Sequence, residues 1–169
     1  INGVSIEIAK LDQILPLAAE FDADLIGYLL DAGSQVPTTE ADAIDIAISL
    51  FNAVETAGVA KNRLIIDPIV APLMWDTGTQ HNMAILSVLR NLPDVLGFSV
   101  RTIAGISNLT TGKAPGKKKF LIEAAYLPML AAAGLDMALL NIFHQQTVQV
   151  AKACAVMLQP TPFSWAAVE

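Results

Sequence analysis

The sequence is poor in cysteine and in positive charge, and it has no long uninterrupted apolar run. A single cysteine, Cys154, among 169 residues excludes an internal disulfide and fits a reducing cytoplasm. Within an apolar helical pattern it reads as a buried filler. Ten Lys and Arg against sixteen Asp and Glu leave a formal charge of −6. Phosphate affinity needs a clustered basic face, so nucleic acid is excluded as a partner. The one basic run, Lys117-Lys118-Lys119, reads as the solvated start of a helix. Mean hydropathy is +0.53, which invites a membrane reading. Asp12, Asp24, Asp31, Asp45, Asp67 and Asp136 nevertheless interrupt the apolar stretches before the roughly 18 residues of a span accumulate.

Several signature motifs are also missing. Gly27 is isolated, where a dinucleotide-binding open sheet would carry Gly-x-Gly-x-x-Gly after its first strand. Ser107 is no nucleophile elbow, because Leu109 stands where glycine is required. The stretch Gly112-Lys113-Ala114-Pro115-Gly116-Lys117 is one residue short of a P-loop, and no Ser or Thr follows Lys117. His81 and His144 have no Cys, Asp or Glu at ligand spacing, so no metal site is expected.

What remains is an alternation. Apolar runs at 1–4, 25–30, 64–67, 100–105 and 137–141 read as buried parallel strands, separated by helical patterns at 7–22, 39–57, 79–91, 118–133 and 145–158. Thr38 or Thr39 can cap the second helix, with Glu40 and Asp42 in its first turn, and Gly58 and Gly134 can end the second and fourth. Pro16 and Pro128 fall inside helical patterns and predict kinks or breaks. The fold class expected is α/β, a (β/α)8 TIM barrel rather than an open sheet. A complete barrel of that kind runs to about 250 residues. Residues 1–169 are accordingly read as the C-terminal portion of one barrel domain, from the end of strand 4 to helix 8, because half a barrel would leave two edges unpaired.

Polar residues at the ends of these runs carry the chemistry. Asn108 follows the strand that ends at Gly105, Asp67 closes Leu64-Ile65-Ile66-Asp67-Pro68, and Asn2 sits in Ile1-Asn2-Gly3-Val4-Ser5. A barrel builds its site where the βα loops converge. A carboxylate at that mouth needs a donor partner, and two side-chain amides offer a donor and an acceptor each, which suits a flat heterocycle. Trp75 either closes over such a ligand or anchors its own loop.

Over essentially all 169 residues the chain resembles the methyltetrahydrofolate:corrinoid protein methyltransferases, pterin-binding barrels similar to the folate domain of cobalamin-dependent methionine synthase and more distantly to dihydropteroate synthase. The resemblance rests on Ile1 to Ser5, Gly33 with Pro37 and Thr38, Ile66-Asp67-Pro68, Gly105-Ile106-Ser107-Asn108, and Ala132 to Asp136 leading to Leu139-Leu140-Asn141. It implies that Asn2 and Asp67 hydrogen-bond the pterin, that Asn108 lies by the N5 carrying the methyl group, that Gly105 and Ser107 shape the pocket floor, and that Lys117 contacts the substrate tail or its loop. It further implies methyl transfer between methyltetrahydrofolate and the cobalt of a corrinoid (cobalamin) on a partner protein, in a cytoplasmic homodimer. The alternatives are a non-catalytic pterin-binding or interaction module and a dihydropteroate synthase-like enzyme. The latter would carry Ser-Arg-Lys where Ser107-Asn108-Leu109 stands.

Overall fold

The computed structural model describes residues 1–113, 115–160 and 165; Ala114, within the loop read between the fourth strand and fourth helix, lies outside them. Five strands form one parallel sheet in sequential order: β1 (Asn2–Val4), β2 (Leu25–Tyr28), β3 (Leu64–Asp67), β4 (Arg101–Gly105) and β5 (Met137–Leu139). Each is followed by a helix: α1 (Ile8–Glu20), α2 (Glu40–Thr56), α3 (Gly78–Leu96), α4 (Gly116–Ala132) and α5 (Gln145–Leu158). Neighbouring strands are consecutive in the chain and all parallel, which is the arrangement of successive units of a (β/α) barrel.

The two faces of the sheet differ. Residues in register across a parallel sheet point the same way, and neighbours along a strand alternate. Leu25, Leu64, Ile66 and Ala104 share one face, fully buried in the same core cluster as Leu50 of α2 and Leu89 and Leu92 of α3. Gly27 lies on this face as well. A Cβ there would touch Leu50 and Leu64 at 3.2 Å, so its lack of a side chain is what lets α2 sit close. Asn2, Ile26, Tyr28, Ile65, Asp67, Ile103 and Gly105 therefore face inward. Ile65 and Ile103 are buried yet stand apart from the helix-side core.

Helix ends follow local chemistry. The Thr39 hydroxyl accepts from the Asp42 backbone N–H at 3.1 Å and caps α2. Gly58 and Gly134 adopt positive φ just past α2 and α4, where an L side chain would be strained. Three expectations are corrected. Pro16 and Pro128 do not interrupt α1 or α4, and α3 continues through Pro93 to Leu96 rather than stopping at 91. All three prolines lie on solvent-exposed sides of their helices, and Asp12, whose carbonyl Pro16 leaves without its helical donor, is itself exposed to water. Strand β2 ends at Tyr28, two residues early, because the Asp31 carboxylate folds the chain by accepting from Gly33 and Gln35 N–H at 2.8 Å each. Among the described residues no helix is long and apolar enough to cross a membrane.

Candidate functional site

The C-terminal ends of β2 to β4 bring polar groups onto the inner face, and Asn2, read in the sequence as ending an apolar run, instead opens β1. Asp67 is the last residue of β3 and only 8% exposed. Burial pushes its carboxyl up to about 6, against the opposing effect of the Ile69 N–H, which donates to Oδ1 at 2.8 Å. The second oxygen has no hydrogen-bond partner among the described residues. Such a carboxylate is costly to keep ionised in an apolar barrel, and a ligand with paired N–H donors would offset that cost.

Tyr28 stands in register with Asp67 on the same face. Its hydroxyl donates to Asn2 Oδ1 at 3.0 Å, which fixes the amide and leaves the Asn2 NH2 as a donor. The ring lies over Gly3, whose φ is +101° and where a Cβ would come within 2.5 Å of it. Gly3 is thus required for this close approach. Tyr28 was not singled out in the sequence, since it reads there as one more member of an apolar run. The two-residue alternation of Ile26 and Tyr28, matching Ile65 and Asp67, was the available signal.

Beyond β4 the chain makes a 3-10 turn, Ile106–Thr110. Within it the Asn108 side chain folds back, its Nδ2 3.3 Å from where a Cβ on Gly105 would stand. Gly105 therefore leaves the amide room at the inner end of β4. The turn is pinned from both sides: Leu109 is buried and its carbonyl accepts from Leu73 N–H at 3.0 Å, while Thr110 donates to the buried carboxylate of Glu123. Ser107 is exposed on the same turn. Lys117 is exposed on the first turn of α4, outside the inner face. Tyr28 thus joins Asn2 to the level of Asp67 on the inner face, Gly105 and Asn108 stand together at the end of β4, and Ser107 and Lys117 are exposed to solvent.

Loop residues surround this rim. Trp75 is half exposed and lines, with Gln35, Thr38, Gln80 and His81, a cleft of about 210 Å³ between the loops after β2 and β3. His144 is no isolated filler: its Nδ1 is buried 3.6 Å from Glu123 Oε2 of α4, a proximity that spacing could not reveal, though beyond hydrogen-bond distance. Among the described residues no three His, Cys, Asp or Glu groups converge as a metal site. Cys154, read in the sequence as a buried filler, is only partly buried, and that burial pushes its thiol up.

No family model matches the sequence. Solved structures do match the fold. A Yersinia pestis dihydropteroate synthase bound to a pterine-sulfa conjugate superposes with a TM-score of 0.63 at 18% identity, covering 85% of this chain and 55% of that one. A Clostridium difficile dihydropteroate synthase crystallised with pteroic acid gives 0.66 at 16% identity, with 92% and 59% covered. The fold is that of the dihydropteroate synthases. Identity this low establishes the fold alone, and the chain spans a little over half the length of these two dihydropteroate synthases. The resemblance had placed this family at a greater distance than the corrinoid methyltransferases.

Proposed function

We propose that the inner rim binds a pterin and that the polypeptide transfers the N5-methyl group of methyltetrahydrofolate to, or from, the cobalt of a corrinoid held by a partner protein. The observation that carries this reading is the placing of one half-desolvated carboxylate, Asp67, and two amides, Asn2 and Asn108, on one inward face. In it, Asp67 accepts paired N–H groups of the ring, Asn2 donates to a ring acceptor with Tyr28 holding its orientation, and Gly105 and Ser107 border the pocket. Both dihydropteroate synthases above were crystallised with pterin-containing compounds, which supports a pterin as ligand.

The role of Asn108 follows from the leaving group. A tertiary amine releases methyl poorly because departure puts negative charge on N5. A fixed amide N–H that tightens its hydrogen bond as this charge develops stabilises the transition state more than the ground state. Asn108 has no proton to give up, so a water completes the protonation. The corrinoid supplies the cobalt nucleophile that takes the methyl group. In this reading Lys117, exposed on the first turn of α4 beside Lys118 and Lys119, contacts the anionic substrate tail or its loop.

The neighbours' own activity is the second reading. Against it stands the placement of arginine: Arg63 and Arg101 belong to the opposite end of the sheet, Arg90 lies on the exposed side of α3, and Asn108-Leu109 follows Ser107 where that activity would call for Arg and Lys. Incubation of the polypeptide as the cell makes it with methyltetrahydrofolate and a Co(I) corrinoid protein tests the proposal. Methylated cobalt is expected. Formation of dihydropteroate in a parallel incubation with a hydroxymethyldihydropterin diphosphate and p-aminobenzoate supports the second reading, and folate binding without either product supports a carrier.

A further inference from the structure

The chain leaves β3 through an unusual turn. Ile69 has φ +60°, a left-handed conformation that a β-branched residue adopts only when its surroundings impose it. Two hydrogen bonds impose it here. The Ile69 N–H donates to Asp67 Oδ1 at 2.8 Å, and the Ile69 carbonyl lies 2.8 Å from His81 Nε2. A carbonyl only accepts, so Nε2 carries a proton and donates. The next residue of α3 grips the same loop two positions on: Asn82 accepts from Ala71 N–H at 3.0 Å and donates to Ala71 and Gly78 carbonyls at 2.8 Å. Asn82 is buried with its hydrogen bonds closed among protein groups, whereas His81 is half-buried and faces the Trp75 cleft.

We propose that His81 is a positioning residue for Asp67: by holding the Ile69 carbonyl it keeps Ile69 left-handed, aims the Ile69 N–H at one carboxylate oxygen, and leaves the other oxygen for the ligand. This rests on the reading of Asp67 as a pterin acceptor. Strain of this kind is stored where the geometry serves a site. The proline between Asp67 and Ile69 fixes φ at 68 and keeps Asp67 extended, so the turn has few alternative ways to present the carboxylate. Glu40, whose carboxylate accepts from Ser87 and Asn91, is the charged group that shares a wall with His81.

The test pairs a ligand-free readout with a binding one, on His81→Leu, His81→Gln, Ile69→Gly and the Leu–Gly double variant. Carboxyl NMR titration of the free protein should show Asp67 titrating about one unit higher in His81→Leu, since a hydrogen bond to its charged form is loosened. His81→Gln keeps a donor and should titrate near wild type. Methyltetrahydrofolate affinity, by calorimetry, should fall about tenfold or more in His81→Leu. It should recover to within about threefold of the Ile69→Gly single variant in the double variant, because glycine needs no clamp to be left-handed. Wild-type titration and affinity in His81→Leu, or no recovery by Ile69→Gly, overturns the proposal. A shifted Asp67 titration in a protein that binds no folate even as wild type leaves the positioning role standing and removes the pterin reading.

Discussion

The two ends of the sheet handle their polar groups in opposite ways. At the amino ends, polar groups close on one another: Asp24 lies between Arg63 and Arg101 at 3.4 and 3.0 Å, and Arg63 also pairs with Asp22. Asp136 accepts from the Thr102 N–H at 2.8 Å while the Thr102 hydroxyl donates to Gly134 O at 3.0 Å. At the carboxyl ends some groups are left open: one Asp67 oxygen has no hydrogen-bond partner among the described residues, and Ser5 Oγ is buried without one. Closed groups of this kind hold a barrel together, and open ones at the βα-loop end are those a ligand would engage under the proposed function. The same residue types thus do different work according to which end of a strand they occupy.

The contrast can be broken most severely at Asn108. Its replacement by alanine in the polypeptide as the cell makes it should lower the rate of cobalt methylation by roughly a hundredfold or more, about 3 to 4 kcal/mol of barrier. Being exposed, the change should leave the denaturation midpoint within about 0.5 kcal/mol of wild type. Asn82 sharpens the contrast, because it lies at the open end yet is closed. Asn82→Leu orphans the Ala71 N–H and the Ala71 and Gly78 carbonyls and should cost about 3 kcal/mol of stability in denaturant titration.

Asp67→Asn should do the reverse, raising stability by about 2 kcal/mol at pH 7 while weakening folate binding. Burial lifts the Asp67 carboxyl from its ordinary 3.8 to about 6. The native state therefore holds an extra proton between those values, and stability falls as pH rises through that window, with the penalty fully present above it. Thermal melts from pH 3.5 to 7 should lose that component of slope in the variant. At the closed end the effect is smallest and of opposite sign. The Arg101 hydrogen bond holds the Asp24 carboxyl below its usual range, so its contribution is present at neutral pH and vanishes as pH falls through that lowered value. Asp24→Asn should cost about 0.5 kcal/mol, less in high salt, as expected of an exposed pair.

Much of the fold was legible because each strand is a short apolar run and the ends of α2 and α4 carry Thr39, Gly58 and Gly134. The end of α3 was not: the helical pattern was read only to 91, whereas the helix continues through Pro93 to Leu96. The positions of Asp67 at the end of β3 and of Asn108 just beyond β4 were legible, because polar letters follow apolar runs there, whereas Asn2 opens its strand. His81 was not, since its acceptor is a backbone carbonyl 12 residues away in the chain and nothing in the letters marks Ile69 as left-handed. Glu123 and His144 escaped for the same reason: packing between α4 and the loop after β5 joins them.

The most direct measurement is a calorimetric titration of methyltetrahydrofolate into the polypeptide as the cell makes it, wild type against Asp67→Asn. The account predicts one bound folate per chain in the wild type and at least a tenfold weaker affinity in the variant. Equal affinities, or no folate bound by the wild type, would contradict it.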